Sequence, residues 1–222
     1  MDLSTRYLGL ELSHPLMPGA SPMVDDLDTV KRLEDAGASA IVMHSLFEEQ
    51  IRREQVTAFH HTESHEQSFA EALSFFPTSD VFALGPHEYL EQLRKIKEAV
   101  KVPVIASLNG TTAHAWLKHA HLIEEAGADA LEVNFYEVIA DIGVPGTAVE
   151  MQLRDAAVNL KRLLRIPIAI KLSPFYTAFG NVAKQLDEVG VDGLVLFNRF
   201  YQPDIDTRTM TVGPSLELSK SA

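Results

Sequence analysis

Polar residues close one apolar run after another in this chain: Ser21, then His44-Ser45, Ser107 with Asn109, Glu132 with Asn134, Lys171 with Ser173, and Asn198-Arg199. Lys171 is the most demanding, because it interrupts Ile168-Ala-Ile-Lys-Leu. A charge inside a buried strand costs on the order of several kcal/mol unless it is paired or used. Used, it is a counter-charge for a developing anion or a Schiff-base nucleophile. Paired, it is a structural partner of Glu132. Glu132 in Leu-Glu-Val-Asn and Asn198 in Val-Leu-Phe-Asn close their runs equivalently, so their side chains are expected in one layer. His44 suits a general base or hydrogen-bond donor, and equally a satisfied core histidine.

Other polar clusters point to less. His60-His61-Thr-Glu-Ser-His65 lacks a local partner at a recurrent ligand spacing and reads as a solvated loop, so no metal site is expected. His114, His119 and His121 share a helix with Lys118 and read as surface. Neither a G-x-G-x-x-G nor a P-loop pattern occurs, and Gly143 to Thr147 reads as a plain loop.

The elements that must carry these residues are written in a repeat. Leu33-Glu-Asp-Ala-Gly-Ala-Ser-Ala-Ile-Val, Ile123-Glu-Glu-Ala-Gly-Ala-Asp-Ala-Leu-Glu and Leu186-Asp-Glu-Val-Gly-Val-Asp-Gly-Leu-Val are three versions of one string. Each predicts a helix closed by a glycine (Gly37, Gly127, Gly190) and running into an apolar strand. Ahead of each stands a proline-led apolar segment at Pro15, Pro103 and Pro167, at nearly constant distance from its glycine. Apolar residues at helical spacing lie between, as in Tyr89-Leu90-Leu93-Ile96-Val100 and Phe179-Val182-Ala183-Leu186-Val189.

Three strand–helix–strand modules give six parallel strands buried on both faces. That is an α/β chain, a TIM-type (β/α)8 barrel with about six of its eight units, the polar run-ends gathering at the C-terminal mouth. An open doubly wound sheet is the alternative. After the sixth predicted strand, Gly193 to Phe197, residues 198–222 leave room for a loop and a hairpin around Thr207 to Val212. The expectation is a single incomplete barrel domain over 1–222, its last quarter beyond this chain or supplied by a partner or second copy. The polar stretch 48–86 is a long β-to-α excursion of the kind that serves as a lid.

With 222 residues, 46% of them hydrophobic, the chain can bury a full core, and its formal charge of −12 argues against nucleic acid or an anionic membrane surface. A small-molecule substrate is expected. The absence of cysteine excludes disulfides, thiolate metal ligands and thiol nucleophiles. With no apolar run of signal-peptide or membrane-span length, the expected location is the cytoplasm.

Four strings, Ala106-Ser-Leu-Asn-Gly, Ala126-Gly-Ala-Asp-Ala-Leu-Glu-Val-Asn, Ile170-Lys-Leu-Ser-Pro-Phe and Gly193-Leu-Val-Leu-Phe-Asn-Arg-Phe-Tyr-Gln-Pro-Asp, together resemble bacterial dihydroorotate dehydrogenase-like proteins. The likeness runs in order through essentially the whole chain. It implies an FMN-binding barrel that oxidises a small substrate by hydride transfer to the flavin, with a place in pyrimidine biosynthesis. By position it implies that Ala20 and Ser21 lie along the flavin ring, that Lys171 faces the ring's N1/O2 edge, and that Ser45 is a further cofactor contact. Asn109 and Glu132 fall among cofactor contacts, Asn134 and Asn198 among substrate contacts.

The chain departs from the family at three places. His44-Ser45 replaces a lysine-serine pair. The loop that normally offers a cysteine or serine base reads Asn134-Phe135-Tyr136, which leaves Tyr136 and His44 as candidate bases. The family's phosphate loops follow strands seven and eight, beyond the modules counted here. A Schiff-base lyase or aldolase using Lys171, and a non-catalytic barrel remnant covering its open edges by association, are the competing expectations.

Overall fold

The computed structural model describes residues 1–47, 86–110, 113–135, 139–198, 203–206, 208 and 211–214. The predicted lid at 48–86 lies outside these, apart from Pro86. Near the N-terminus β1 (Thr5–Tyr7) and β2 (Leu10–Leu12) form an antiparallel hairpin. There follow α1 (Leu27–Asp35), β3 (Ile41–Phe47), α2 (Pro86–Ala99), β4 (Val104–Asn109), α3 (Ala113–Glu125), β5 (Ala130–Asn134), α4 (Gly146–Leu163), β6 (Ile168–Leu172), α5 (Phe179–Val189) and β7 (Gly193–Leu196). A second hairpin joins β8 (Pro203–Asp206) to β9 (Thr211–Pro214), close to where the sequence predicts one.

Strands β3 to β7 form one five-stranded parallel sheet in chain order. A doubly wound sheet needs a reversal of order at a switch point, and none occurs here. Successive strand–helix units turning one way are the arrangement of a β/α barrel.

Each strand alternates between two environments. Ile41, Met43, Val104, Ala106, Leu108, Leu131, Val133, Ile168, Ile170 and Leu172 face outward into a core with helix residues such as Leu93, Ile96, Leu153 and Leu186. Val42, Ile105, Ala130 and Ala169 face inward, where the N-terminal hairpin's Leu8 and Leu12 cover them. The hairpin comes so close that a Cβ on Gly193 would lie 2.8 Å from Leu8 Cδ2 and 3.2 Å from Tyr7 Cε2. A side chain there would displace the ends of Leu8 and Tyr7 from their present positions.

The repeat predicted from sequence has a hydrogen-bonding cause. Gly37, Gly127 and Gly190 take φ of 94°, 94° and 88°, the left-handed turn that ends each helix. The glutamate three residues before the first two glycines then reaches the next module. Glu34 Oε1 accepts from the amides of Lys101 and Val102 at 2.6 and 3.1 Å, and Glu124 Oε1 accepts from Arg165 and Ile166 at 2.6 and 3.0 Å. The aspartate two residues after the last two glycines ties strand starts together. Asp129 Oδ2 accepts from Val104 N at 2.7 Å and Lys97 Nζ at 2.5 Å, and Asp192 Oδ2 from Ile168 N at 2.8 Å and Lys161 Nζ at 2.7 Å.

In the first copy the sequence puts Ser39 where the others have aspartate, and here the structure departs from expectation. Ser39 Oγ donates to the Leu16 carbonyl at 2.7 Å, and the Leu16 amide turns back to His14 Nδ1 at 3.2 Å. Leu16–Ala20 lacks the carboxylate that fixes the amide of the first strand residue in the other two modules, and it is not a strand. Five of the six predicted strands therefore make the sheet.

Among the described residues no helix is long and apolar enough to cross a membrane, and no group of three or more potential metal ligands gathers. Contrary to the surface reading of the α3 histidines, His119 is buried.

The aspartate ties make a direct prediction. Asp129→Ala or Asp192→Ala removes a carboxylate that serves a strand amide and a lysine, and each should lower unfolding free energy by about 1–3 kcal/mol. Urea midpoints unchanged within error in both variants would dismiss the ties as ornamental.

Candidate functional site

The register of the sheet sorts the inward-facing polar residues into two rows. Asn109, Asn134, Lys171 and Val195 are neighbours across β4–β7 in the row nearer the C-terminal rim. One step below, Ser45, Ser107, Glu132, Ala169 and Gly193 are neighbours across β3–β7. Alanine and glycine at the end of the lower row leave room for the side chain above. Lys171 uses it, reaching Glu132 Oε1 at 3.3 Å. Glu132 is buried and Lys171 about one-fifth exposed, so the ammonium stands at the edge of the site with a carboxylate behind it.

The rim of the upper row is an amide pair, in which Asn198 Nδ2 donates to Asn134 Oδ1 at 3.0 Å. Asn198 is held there by its own amide, which continues the β7 ladder to Leu172 O at 2.8 Å. It thus joins Asn134, and the single layer expected for Asn198 and Glu132 is two. Below, the Ser45 and Ser107 hydroxyls meet at 2.7 Å. A cavity of about 400 Å³ opens between the sheet's Val42, Ile105, Glu132 and Val195 and the Tyr7, Met17 and Gly19 side. Burial and the Glu132 charge push the Tyr7 phenol up to about 12. Ala20 packs against the inner cluster, and Ser21 opens the 3-10 turn Pro22–Val24.

His44 is not among these groups. Between Val42↔Ile105 and Ser45↔Ser107 the β3–β4 register shifts, so Met43 and His44 stand opposite the single residue Ala106. This bulge turns His44 outward, where its ring meets Tyr89 edge-on at 5.6 Å and Nδ1 lies 2.5 Å from Asp25 Oδ1, off the line of a hydrogen bond. Tyr89, fully buried on α2, supports the strand at a place the sequence reading does not single out. Its hydroxyl accepts from Ser107 N at 2.9 Å and donates to Ser107 O at 3.0 Å, taking up both backbone groups opposite the bulge. Burial raises its phenol well above the ordinary value. Nothing local in Tyr89's sequence signals this, because the need for it arises from a strand irregularity. Tyr136, the other candidate base, lies outside the described residues, as does Arg199.

No protein-family model matches the chain. It is 27% identical over 207 residues to the NAD-dependent dihydropyrimidine dehydrogenase subunit PreA of Escherichia coli K12, covering 89% of this chain and 48% of that one. It is 28% identical over 213 residues to the dihydroorotate dehydrogenase B (NAD(+)) catalytic subunit of Thermoplasma acidophilum, covering 93% and 65%. The corresponding subunit of Geobacillus kaustophilus is 31% identical over 130 residues, or 56% and 41%. These matches therefore span about two-fifths to two-thirds of the length of the curated relatives. Among solved structures, phosphonopyruvate hydrolase with oxalate and Mg²⁺ superposes with a TM-score of 0.51 at 17% identity over 86% of this chain and 61% of that one, a likeness of fold alone.

Two measurements check this geometry. Lys171→Met strands the buried Glu132 carboxylate and should cost about 3 kcal/mol, whereas Lys171→Met with Glu132→Leu should cost less than the single change. A double variant less stable than the single one would contradict the pairing. For Tyr7, the folded protein keeps the phenolic proton from pH 10 to about 12 while the unfolded chain releases it. Its share of stability is full below pH 10 and is lost as pH rises through about 12, so Tyr7→Phe should shift alkaline unfolding upward. An unchanged midpoint would place Tyr7 in solvent.

Proposed function

This chain is dihydroorotate dehydrogenase-like over most of its length, and we propose that it is a flavin-dependent oxidoreductase that takes hydride from a small, dihydroorotate-like substrate. The observation that carries the reading is the Lys171 ammonium, inward-facing beneath a rim of carboxamides and backed by Glu132. A structural ion pair would serve the fold as well on an apolar rim. Here the cation stands among side chains that recognise planar amide and imide edges.

The donor set fits FMN. Lys171 supplies a cation for the N1/O2 edge, where charge accumulates on reduction. Ala20, Ser21 and Ser45 would line the ring, with Asn109 and Glu132 as further contacts. When bound, FMN supplies the two-electron acceptor. Asn134 and Asn198 each carry one donor and one acceptor group, and because Asn198 Nδ2 donates to Asn134 Oδ1, the Asn134 Nδ2 and Asn198 Oδ1 groups would be offered to the substrate. Oxidation of a CH–CH unit also releases a proton, which needs a base. His44 is turned away toward Asp25, so of the two candidates Tyr136 is assigned this role. The acidic surface, with −12 overall, suits a small substrate better than a polyanion. The relatives' greater length makes the activity a property of the whole protein, with cytoplasmic pyrimidine metabolism as its setting.

Lys171's burial also suits a Schiff-base lyase, but an ammonium engaged by Glu132 is not a nucleophile until that pair opens. One experiment separates the two. Titration with FMN should quench flavin fluorescence saturably, and Lys171→Met should weaken binding at least tenfold. Absence of saturation, together with a pyruvate adduct on Lys171 trapped as the secondary amine by borohydride reduction of the imine, would replace the flavin reading with the lyase.

A further inference from the structure

The bulge in β3 sends two adjacent residues to opposite sides of the sheet. Ser45 turns in to Ser107, and His44 turns out to Asp25. Asp25 belongs to the turn that follows Ala20 and Ser21, and this turn is held from several directions. Gln92 of α2 donates Nε2 to the carbonyls of Val24 and Asp25 at 3.2 and 3.0 Å. Val24 is fully buried. Asp26 caps α1, and the Thr29 hydroxyl and amide that donate to it hold its carboxyl below the usual range.

Of these anchors, Val24 ties the turn to the core shared with Ile41 and Met43 of β3, and His44–Asp25 is the polar side-chain contact between the turn and that strand. This contact sits one residue from Ser45, which lies on the inner face. His44 is 9% exposed along its side chain, with Tyr89 against its ring. It has no route to the Asn134–Asn198 rim.

We propose that His44 and Asp25 form a positioning pair that fixes the Ala20–Asp26 turn against β3, and so sets Ala20 and Ser21 for the flavin ring; the flavin part rests on the function proposed above. His44 is then a positioning residue and not an acid or base. Its position at the bulge matters because the same irregularity faces Ser45 into the site. The turn on one side and the serine hydroxyls on the other are held in a single register.

The test exploits the shape of the imidazole. Asparagine places an amide N–H near Nδ1, whereas glutamine places it near Nε2. With protein free of flavin, hydrogen exchange of the amides of residues 20–26 should quicken at least tenfold in His44→Gln and Asp25→Ala and stay near wild type in His44→Asn, while β4 and β5 remain unchanged. FMN affinity should fall about five- to twentyfold in the first two and recover in the third. Asp25→Ala removes the pair from a partly exposed position, so it reports even if His44→Gln does not fold. Equal exchange in His44→Asn and His44→Gln would overturn the pair. Faster exchange with unchanged FMN affinity would overturn its role at the ring. Failure of the wild type to bind FMN would sink the flavin part while leaving the exchange comparison to decide the pair.

Discussion

A lysine ammonium in a sheet packed on both faces must find an anion within reach of its own stem, and much of the inner face is arranged around that need. Lys171 reaches one row down to Glu132. The space exists because the residues beyond Glu132 in that row are Ala169 and Gly193. The same small residues admit the N-terminal hairpin, whose Tyr7 and Leu8 press on Gly193. A larger side chain at 193 would shift the ends of Leu8 and Tyr7, which pack on the inner cluster with Leu12, Val42 and Ile105. Pairing of one charge and packing of one hairpin therefore draw on the same row of small residues.

The two ends of the strands use acidic residues differently. At the N-terminal end, Glu34, Glu124, Asp129 and Asp192 spend their oxygens on backbone amides and lysines of the neighbouring module. These carboxylates are consumed by the fold. At the C-terminal end the polar groups bond mainly to one another, as Ser45 does to Ser107, Glu132 to Lys171 and Asn134 to Asn198. Amides and hydroxyls satisfied only by each other can exchange that partner for a ligand at little cost, because the hydrogen bonds given up are replaced. This division matches barrels generally, with stability residing below and chemistry above.

The legible part of the molecule is the part built from local, repeated chemistry. The glycine-ended helices and apolar strands could be read because each module states them within a few residues, and their order in the sheet follows from the chirality of strand–helix–strand units. Lys171, Glu132, Asn134 and Asn198 could be read because a polar residue at the end of an apolar run is conspicuous. What was hidden depends on a partner far away in sequence. Ser39 in place of aspartate looks conservative, yet the carboxylate clamp is absent there and Leu16–Ala20 is not a strand. Period-two reasoning puts His44 and Val42 on one face, and only the bulge, invisible in β3's own residues, reverses that. His119 looked exposed because it follows Lys118 and shares the helix with other histidines, but its own face of α3 is the buried one.

The bulge also bears on how this site differs from the family it resembles. Where that resemblance implies a lysine-serine pair, His44-Ser45 stands, and the substitution is more than a change of charge. A lysine turned outward at this position could still meet the Asp25 carboxylate, but its flexible stem would not present a ring edge-on to Tyr89. A histidine is short and flat enough to sit edge-on to the ring and meet Asp25. The residue type and the irregular backbone therefore explain each other. With position 44 committed to the turn, Lys171 is the cation that remains on the inner face of β3–β7 among the described residues, and any negative charge developing in the site would be shared between it and the carboxamides above.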